Sequence, residues 1–430
     1  MTKVRDKLET ILARLDARVA EEKVFLRVYR EAARAAADAA DARREAGTSL
    51  GPLDGAIVSI KDLFDVAGET TTAGSIALRG MPPAEKDAVI VRRLRQAGVV
   101  ILGKTNMVEF AFSGIGLNPH YGTPGNAADP ERIPGGSSSG AGVSVAEGTS
   151  DISIGSDTGG SVRIPAALNG IVGFKPTARR VPLEGAFPLS YSLDSVGPLA
   201  RSVQDCAVTD AVMAGEEPEP VAPFPLQGLR IGVPRGRLFS ETEAVVAEAF
   251  EGCLSRLSAA GAQIADHGIE DLLDGMAEAT RAASIASIEA AEIHADWLDS
   301  KAEAFDPRVR NRIVLSGSAP APVYIRMMRR RAALAAAMDV RLASFDVMAL
   351  PAVAVTAPKM QPIVESDDLY TKTNLLVLRN TMVANQFDLT SISMPIAGLA
   401  LPAGFMLMAR NGEDKRLLRI AATIERVLAP

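Results

Sequence analysis

The 430-residue chain predicts an α/β fold, a sandwich of helices around a largely buried β-sheet. Three observations lead there. Helical and strand-like segments alternate from one end to the other. Several strand-like segments, at 56–60, 99–102 and 171–174, are short and largely apolar, as a sheet covered on both faces requires. Apolar residues make up 47% of the chain, enough for a sizeable core. The length exceeds the usual single-domain size, so two domains or one large α/β domain both fit.

Residues 4–46 read as two helices, the second, 30–44, rich in alanine. Residues 47–53 break it, and the strand 56–60 runs into Lys61 and Asp62. Residues 65–80 are turn-rich. An amphipathic helix at 88–97 ends at Gly98, a suitable C-cap, and the strand 99–102 follows. Residues 108–132 read as a loop, punctuated by Asn118-Pro119, Thr123-Pro124-Gly125 and Asp129-Pro130. The serine- and glycine-dense stretch 133–177 holds a short helix at 141–147 and a short strand at 151–154. Residues 181–198 read as a loop and 202–213 as a helix. The acidic, proline-rich segment 216–225 is the clearest linker. Beyond it come a strand at 229–233, a helix at 241–260 closed by Gly261, and a strand at 263–265. Long helical stretches at 274–301 and 322–345 precede a strand at 347–350. The last elements are a helix at 375–385, strands at 391–394 and 404–408, and a helix at 413–428. The basic run 326–331 reads as a solvated helix face, and Met327, Met328 and Met338 as core.

Charge and composition narrow the function. A net charge of −6 argues against nucleic acid or an anionic membrane as the main partner. Cys206 and Cys253 are far apart and form no metal or redox pair, which suits a reducing cytoplasm. The first residues are charged throughout and resemble no secretory leader, and no apolar run is long enough for a membrane span. Only His120, His267 and His294 are available for histidine chemistry.

Four motifs compete for the chemistry. Residues 98–105, GVVILGKT, match the phosphate-loop letters, but their middle four residues belong in a strand core rather than in a turn around phosphate. Residues 136–140 match the hydrolase elbow GxSxG on Ser138, yet the residues before it form a turn region instead of a strand, and no histidine stands in a suitable loop. No histidine or cysteine spacing makes a metal site. The fourth candidate uses lysine as base. Lys61 ends an apolar strand, where lost hydration favours the neutral amine, and a neutral amine can take a proton from a serine. Two Gly-Gly-Ser sites, at Ser137 and Ser161, supply the serines, and their glycines let backbone N–H groups converge on a ligand.

The segments carrying these residues resemble the amidase signature family. The likeness covers GPLDGAIVSIKDLFDVAGETTTAGS (51–75), VVILGKTNMVEFAFSG (99–114), GGSSSG (135–140) and GSDTGGSVRIPAALNGIVGFKPT (155–177), and weaker matches follow at 192–205 and 391–395. The resemblance implies the amidase-signature fold, a large mixed central sheet covered on both faces by helices. It also implies a Ser–Ser–Lys triad: Ser161 as nucleophile, Ser137 as bridging serine after a cis Gly136–Ser137 bond, and Lys61 as base. Backbone amides of Thr158, Gly159, Gly160 and Ser161 would stabilise the oxyanion. Asp157, Arg163 and Ser138 would support the loops, and Ser113, Gly114, Gly135 and Gly136 would line the substrate site.

The implied function is hydrolysis of a carboxylic amide to carboxylate and ammonia or amine through an acyl-enzyme, most simply as an amidase acting on linear amide C–N bonds. No metal or organic cofactor is expected. The alternatives are the glutaminase component of a tRNA-dependent amidotransferase and a ureide-type hydrolase acting on biuret- or allophanate-like amides. Against the first, Gly404-Phe405-Met406 replaces the usual glycine-leucine-glutamine of such glutaminases. One domain over 1–430 is expected, with N-terminal helices (1–50), a signature core (51–215), and the remaining sheet and pocket helices (226–430). The expected partner is a small-molecule amide, with room for a homodimer.

Overall fold

The computed structural model describes residues 3–315 and 319–429; the remaining few positions of the expected single domain lie outside the described residues. Among the described residues eleven strands form one sheet. In chain order they are β1 (Phe25–Val28), β2 (Ile57–Lys61), β3 (Val100–Thr105), β4 (Ile152–Asp157), β5 (Val172–Lys175), β6 (Ser195–Ala200), β7 (Arg230–Val233), β8 (Gln263–Asp266), β9 (Val347–Pro351), β10 (Thr390–Pro395) and β11 (Gly404–Ala409). Across the sheet the order is β1-β3-β2-β4-β6-β5-β10-β11-β9-β7-β8. β2 runs parallel to β3 and β4, and β7 parallel to β8 and β9. The other pairings are antiparallel, so the sheet is mixed, as expected.

Helices cover both faces. Successive residues of β9 divide between two apolar clusters, Val347 and Ala349 in one and Met348 and Leu350 in the other. That division is the period-2 alternation of a strand buried on both sides. The helix Asp414–Leu428 buries Leu417, Ile420, Ala421, Ile424 and Leu428 on one stripe, the helical spacing that faces a sheet.

The structure corrects four readings. Residues 4–46 include β1 between the two helices, paired with β3. The loop read at 181–198 gives way at Ser195 to β6, a strand in the middle of the sheet. The stretch 274–301 is two helices, Glu270–Ala279 and Ile285–Ile293, with the second capped by the Ser284 hydroxyl. In the basic run, Arg331 is buried and donates to the Asn385 carbonyl at 2.8 Å, while Arg326, Arg329 and Arg330 are exposed. Met327 and Met338 are buried core residues. The segment 216–225 is coil but not free: Val221 N–H donates to Gln204 Oε1 at 2.8 Å, and Phe224 N–H to Thr423 Oγ1 at 2.9 Å. The phosphate-loop letters are strand β3, with Lys104 buried 3.7 Å from the Asp62 carboxylate.

For the site, the useful fact is that β2 and β4 are parallel neighbours, with Ile60 opposite Ile154. Their C-terminal ends open on the same side of the sheet, where α/β proteins hold ligands.

Candidate active site

Lys61 is the last residue of β2 and is fully buried. Its Nζ donates to Ser137 Oγ at 2.7 Å and to Ser156 Oγ at 2.8 Å. No carboxylate among the described residues touches it. Burial therefore lowers the amine to about 7, opposed only in part by the charges of Asp194 and Asp157. An amine poised there can shuttle a proton near neutral pH.

Ser137 precedes the helix Ser139–Ala146 and follows a cis Gly136–Ser137 bond. The backbone fixes it on both sides: Gly136 N–H donates to the Gly114 carbonyl at 2.8 Å, and the Ser137 carbonyl accepts from Val108 N–H at 3.0 Å. A Cβ on residue 136 would stand 2.7 Å from Gly116 N, so only glycine fits. Ser138, centre of the elbow motif, is buried with its hydroxyl on the Ser156 carbonyl at 3.4 Å, and its N–H donates to the Ser161 carbonyl at 3.3 Å. It braces the two loops against each other.

Residues 158–161 form the turn between β4 and the helix Arg163–Asn169. Gly160 has φ +138°, and a Cβ there would fall 2.0 Å from Thr381 Oγ1. None of the amides of Thr158, Gly159, Gly160 and Ser161 finds a hydrogen-bond acceptor among the described residues. Backbone donors away from bulk water are nearly always paired, so a run of free ones suits an anionic ligand. Ser161, Thr158 and Gly159 line a cavity of about 290 Å³. The structure thus joins Lys61 to Ser137 and sets Ser161 beside them through the Ser138 amide. The remaining link, from Ser161 Oγ to Ser137 Oγ, is not formed, and the Ser161 hydroxyl has no hydrogen-bond partner among the described residues.

A buried ion pair braces this turn. Arg163 donates to Asp157 Oδ1 at 2.8 Å, and both side chains are fully buried. Burial pushes Asp157 up, but Arg163 overrides it and holds the carboxyl at about 2. Asp157 also accepts from Val162 N–H at 3.1 Å and from Asn385 Nδ2 at 2.9 Å. Arg163 further donates to the Thr381 carbonyl at 2.8 Å and to Asn385 Oδ1 at 2.7 Å. Ser156, Asp194, Thr381 and Asn385 are contacts that sequence reasoning missed. Ser156 stands within the motif at 155–177; Thr381 and Asn385 carry no local signal.

The cavity wall includes Phe112, Ser113, Leu189, Ile285, Arg312 and Leu378. Ser113 Oγ and Gly114 N–H both donate to Asn374 Oδ1, at 3.0 and 2.8 Å. Of the four expected lining residues only Ser113 lines this cavity. Gly114 packs against Ile164, Val377 and Leu378, Gly135 against Pro165 and Leu168, and Gly136 against Gly116. Their absent side chains let backbones approach behind the wall. Arg312 was not foreseen. Its guanidinium lies 4.1 Å from the centre of the Phe112 ring and donates to the Phe112 carbonyl. It forms no ion pair with any described residue, so a positive charge reaches the cavity without a protein anion.

The histidines are engaged elsewhere. His120 Nε2 meets Glu109 Oε1 at 2.8 Å, and His267 Nε2 meets the Arg341 carbonyl at 3.0 Å. His294 is buried among Phe110, Phe187, Trp297 and Phe305, and burial lowers its ring to about 4. No helix among the described residues is long and apolar enough to cross a membrane.

Comparison with known proteins adds to this geometry. The sequence model of a family described as Amidase matches residues 6–418. The chain is 38% identical to 2-amino-5-chloromuconic acid deaminase of Comamonas testosteroni, over 92% of this chain and 86% of that one. It is 37% identical to AtzE, a 1-carboxybiuret hydrolase component of Pseudomonas sp. (strain ADP), over 83% and 79%. It is 35% identical to the A-type component of the glutamyl-tRNA(Gln) amidotransferase of Anaeromyxobacter sp. (strain K), over 98% and 92%. A solved structure described as a crystal structure of amidase superposes with a TM-score of 0.88 at 33% identity, covering 100% of this chain and 97% of that one.

Proposed function

The chain belongs to the amidase family, and from that premise we propose that it hydrolyses the amide of a small carboxylate-bearing substrate through a Ser161 acyl-enzyme. The observation that carries this reading is the fully buried Lys61 amine hydrogen-bonded to Ser137, beside a Ser161 whose hydroxyl is unpartnered among the described residues and which lines the cavity. Neutral Lys61 takes the Ser137 proton as Ser137 takes that of Ser161. Ser161 Oγ attacks the amide carbonyl, and the four free amides at 158–161 receive the oxyanion. Collapse breaks the C–N bond, and the leaving nitrogen recovers the proton through Ser137. Water, deprotonated along the same path, then attacks the ester and releases the carboxylate and Ser161.

Arg312 supports the acidic substrate. A guanidinium that forms no ion pair with any described residue suits a substrate carboxylate. Two relatives, by their names, act on molecules that carry carboxyl groups, a muconic acid and a carboxybiuret.

Ammonia release from a dicarboxylic acid monoamide and from a neutral amide of equal length tests both parts. Wild type is expected to favour the acid. Arg312→Met is expected to cut kcat/KM for the acid at least about tenfold more than for the neutral amide, the effect of losing roughly 1.4 kcal/mol of binding. Ser161→Ala and Lys61→Ala are expected to abolish turnover of both, and unchanged rates in these two variants would end the hydrolase reading. The similarity to the A-type component of an amidotransferase keeps a second reading in view, a glutaminase that works in a complex. Turnover of free amides by the lone chain counts against it.

A further inference from the structure

We infer that Asp194 is a positioning residue whose carboxylate locks the amide segment 158–161 and the cavity-wall turn at residues 189 and 190 into one fixed relation. The inference rests on the hydrolase reading above. Asp194 stands directly before β6. Ser195 pairs with Asp157 across the antiparallel β4–β6 ladder, so Asp194 faces Thr158 just beyond the end of β4. Its side chain is buried. Oδ1 accepts from the Thr158 hydroxyl at 2.5 Å, and Oδ2 accepts from the N–H groups of Leu189 and Ser190 at 2.9 and 3.1 Å.

Three donors converge on two oxygens, and an ionised carboxylate, which is acceptor-only, can serve them all. An asparagine could accept on one side only: with its carbonyl on the Leu189 and Ser190 N–H groups, its N–H₂ would have to donate to the Thr158 hydroxyl and reverse that bond. A turn staple alone would explain the bonds to residues 189 and 190. The bond to Thr158 serves no turn. It reaches across the cavity edge to the hydroxyl of the residue that carries the first of the four free amides, and both Thr158 and Leu189 line the cavity. The far side of the same turn is held by Glu289, which accepts from the Ser190 hydroxyl, from Ser192 N–H at 3.2 Å and from the Tyr324 hydroxyl at 2.5 Å. The cavity wall is therefore gripped from both sides, and of these two carboxylates Asp194 is the one that also bonds Thr158.

Asp194 also bears on the base. Two carboxylates act on Lys61, Asp194 before β6 and Asp157 at the end of β4; the groups that touch its Nζ are the hydroxyls of Ser137 and Ser156. Asp157 is committed to Arg163 and Asn385. Removing the Asp194 charge leaves the Lys61 ammonium with less compensation, so the amine should lose its proton at lower pH.

A fluorophosphonate that labels the nucleophilic serine reads both effects without a known substrate. The labelling rate of Ser161 is followed against pH in the full chain. In wild type it is expected to rise through about pH 7, as Lys61 becomes neutral. Thr158→Val should lower the rate about tenfold or more without moving that limb, because mis-aimed oxyanion donors cost at least this much. Thr158→Ser, which keeps the hydroxyl, should restore it to within about threefold on the same ground. Asp194→Asn should lower the rate and move the limb to lower pH by about half a unit or more. A purely structural Asp194 would leave the limb in place. A wild-type rate in Thr158→Val, or a stationary limb in a folded Asp194→Asn, would overturn the inference alone. Should Asp194→Asn fail to fold, the Thr158 pair still decides it. Failure of the probe to label Ser161 in wild type would instead overturn the hydrolase reading, and the inference with it.

Discussion

Burying an amine strips its hydration, and at Lys61 the hydroxyls of Ser137 and Ser156 take its place. The result is an amine that loses its proton near 7 instead of 10.5. Between those values the unfolded chain holds a proton that the native chain lacks, so this residue's contribution to stability rises with pH across that window and is flat outside it. Urea melts of wild type and Lys61→Met should therefore show their difference moving in favour of wild type from about pH 7 to about pH 10. A flat or falling difference would mean that the amine keeps an ordinary pKa. At this scale the sequence was most informative where a residue type was unusual for its place: a lysine ending an apolar strand, and serines behind paired glycines. Ser156 and Asp194 stayed hidden because strand register brings them to Lys61 and Thr158, and register is a long-range property. Arg312 stayed hidden because its meaning lies in what is missing beside it, a carboxylate, and absence of a neighbour cannot be read from a linear pattern.

The elements were legible where one period ran long enough, as in the helices Ala244–Ala259 and Asp414–Leu428. They failed at β1 and β6. β1 has only four residues, too few for a period to declare itself. β6 carries Gly197 and Pro198, which argue against a central strand. Pro198 stands opposite Ile154 in the β4–β6 ladder, and the pairing with β5 takes in only Leu199 and Ala200 of this strand. Gly197 is required: a Cβ there would stand 1.9 Å from the Phe174 carbonyl oxygen. Gly197→Ala must push β5 and β6 apart, and a loss of about 2 kcal/mol or more is expected in chemical denaturation, in the range of core overpacking. An unchanged midpoint would show that the strands separate freely at this point.

At the scale of the whole molecule, one apolar cluster runs from Leu53 to Leu428 and draws on both halves of the chain. The coil at 216–225, pinned by Gln204 and Thr423, does not divide it. Calorimetry should therefore give one unfolding transition, with van't Hoff and calorimetric enthalpies in agreement. Two resolved transitions would mean that the halves fold as separate domains. The alternation of helix and strand made the α/β class readable, but the strand order was not, because it depends on which distant edges meet. One such meeting joins the halves within the sheet: β5 pairs with β10, and Thr390 donates its hydroxyl to the Lys175 carbonyl across 215 residues of sequence. On the ribosome this distance becomes time. At about 5–20 residues per second, β5 waits roughly 10–40 s for its neighbour after it has been made. For that interval the first six strands have an apolar edge that any extended peptide could extend. Yield in a foreign host should then respond to translation speed and chaperone supply more than to the stability of the finished fold.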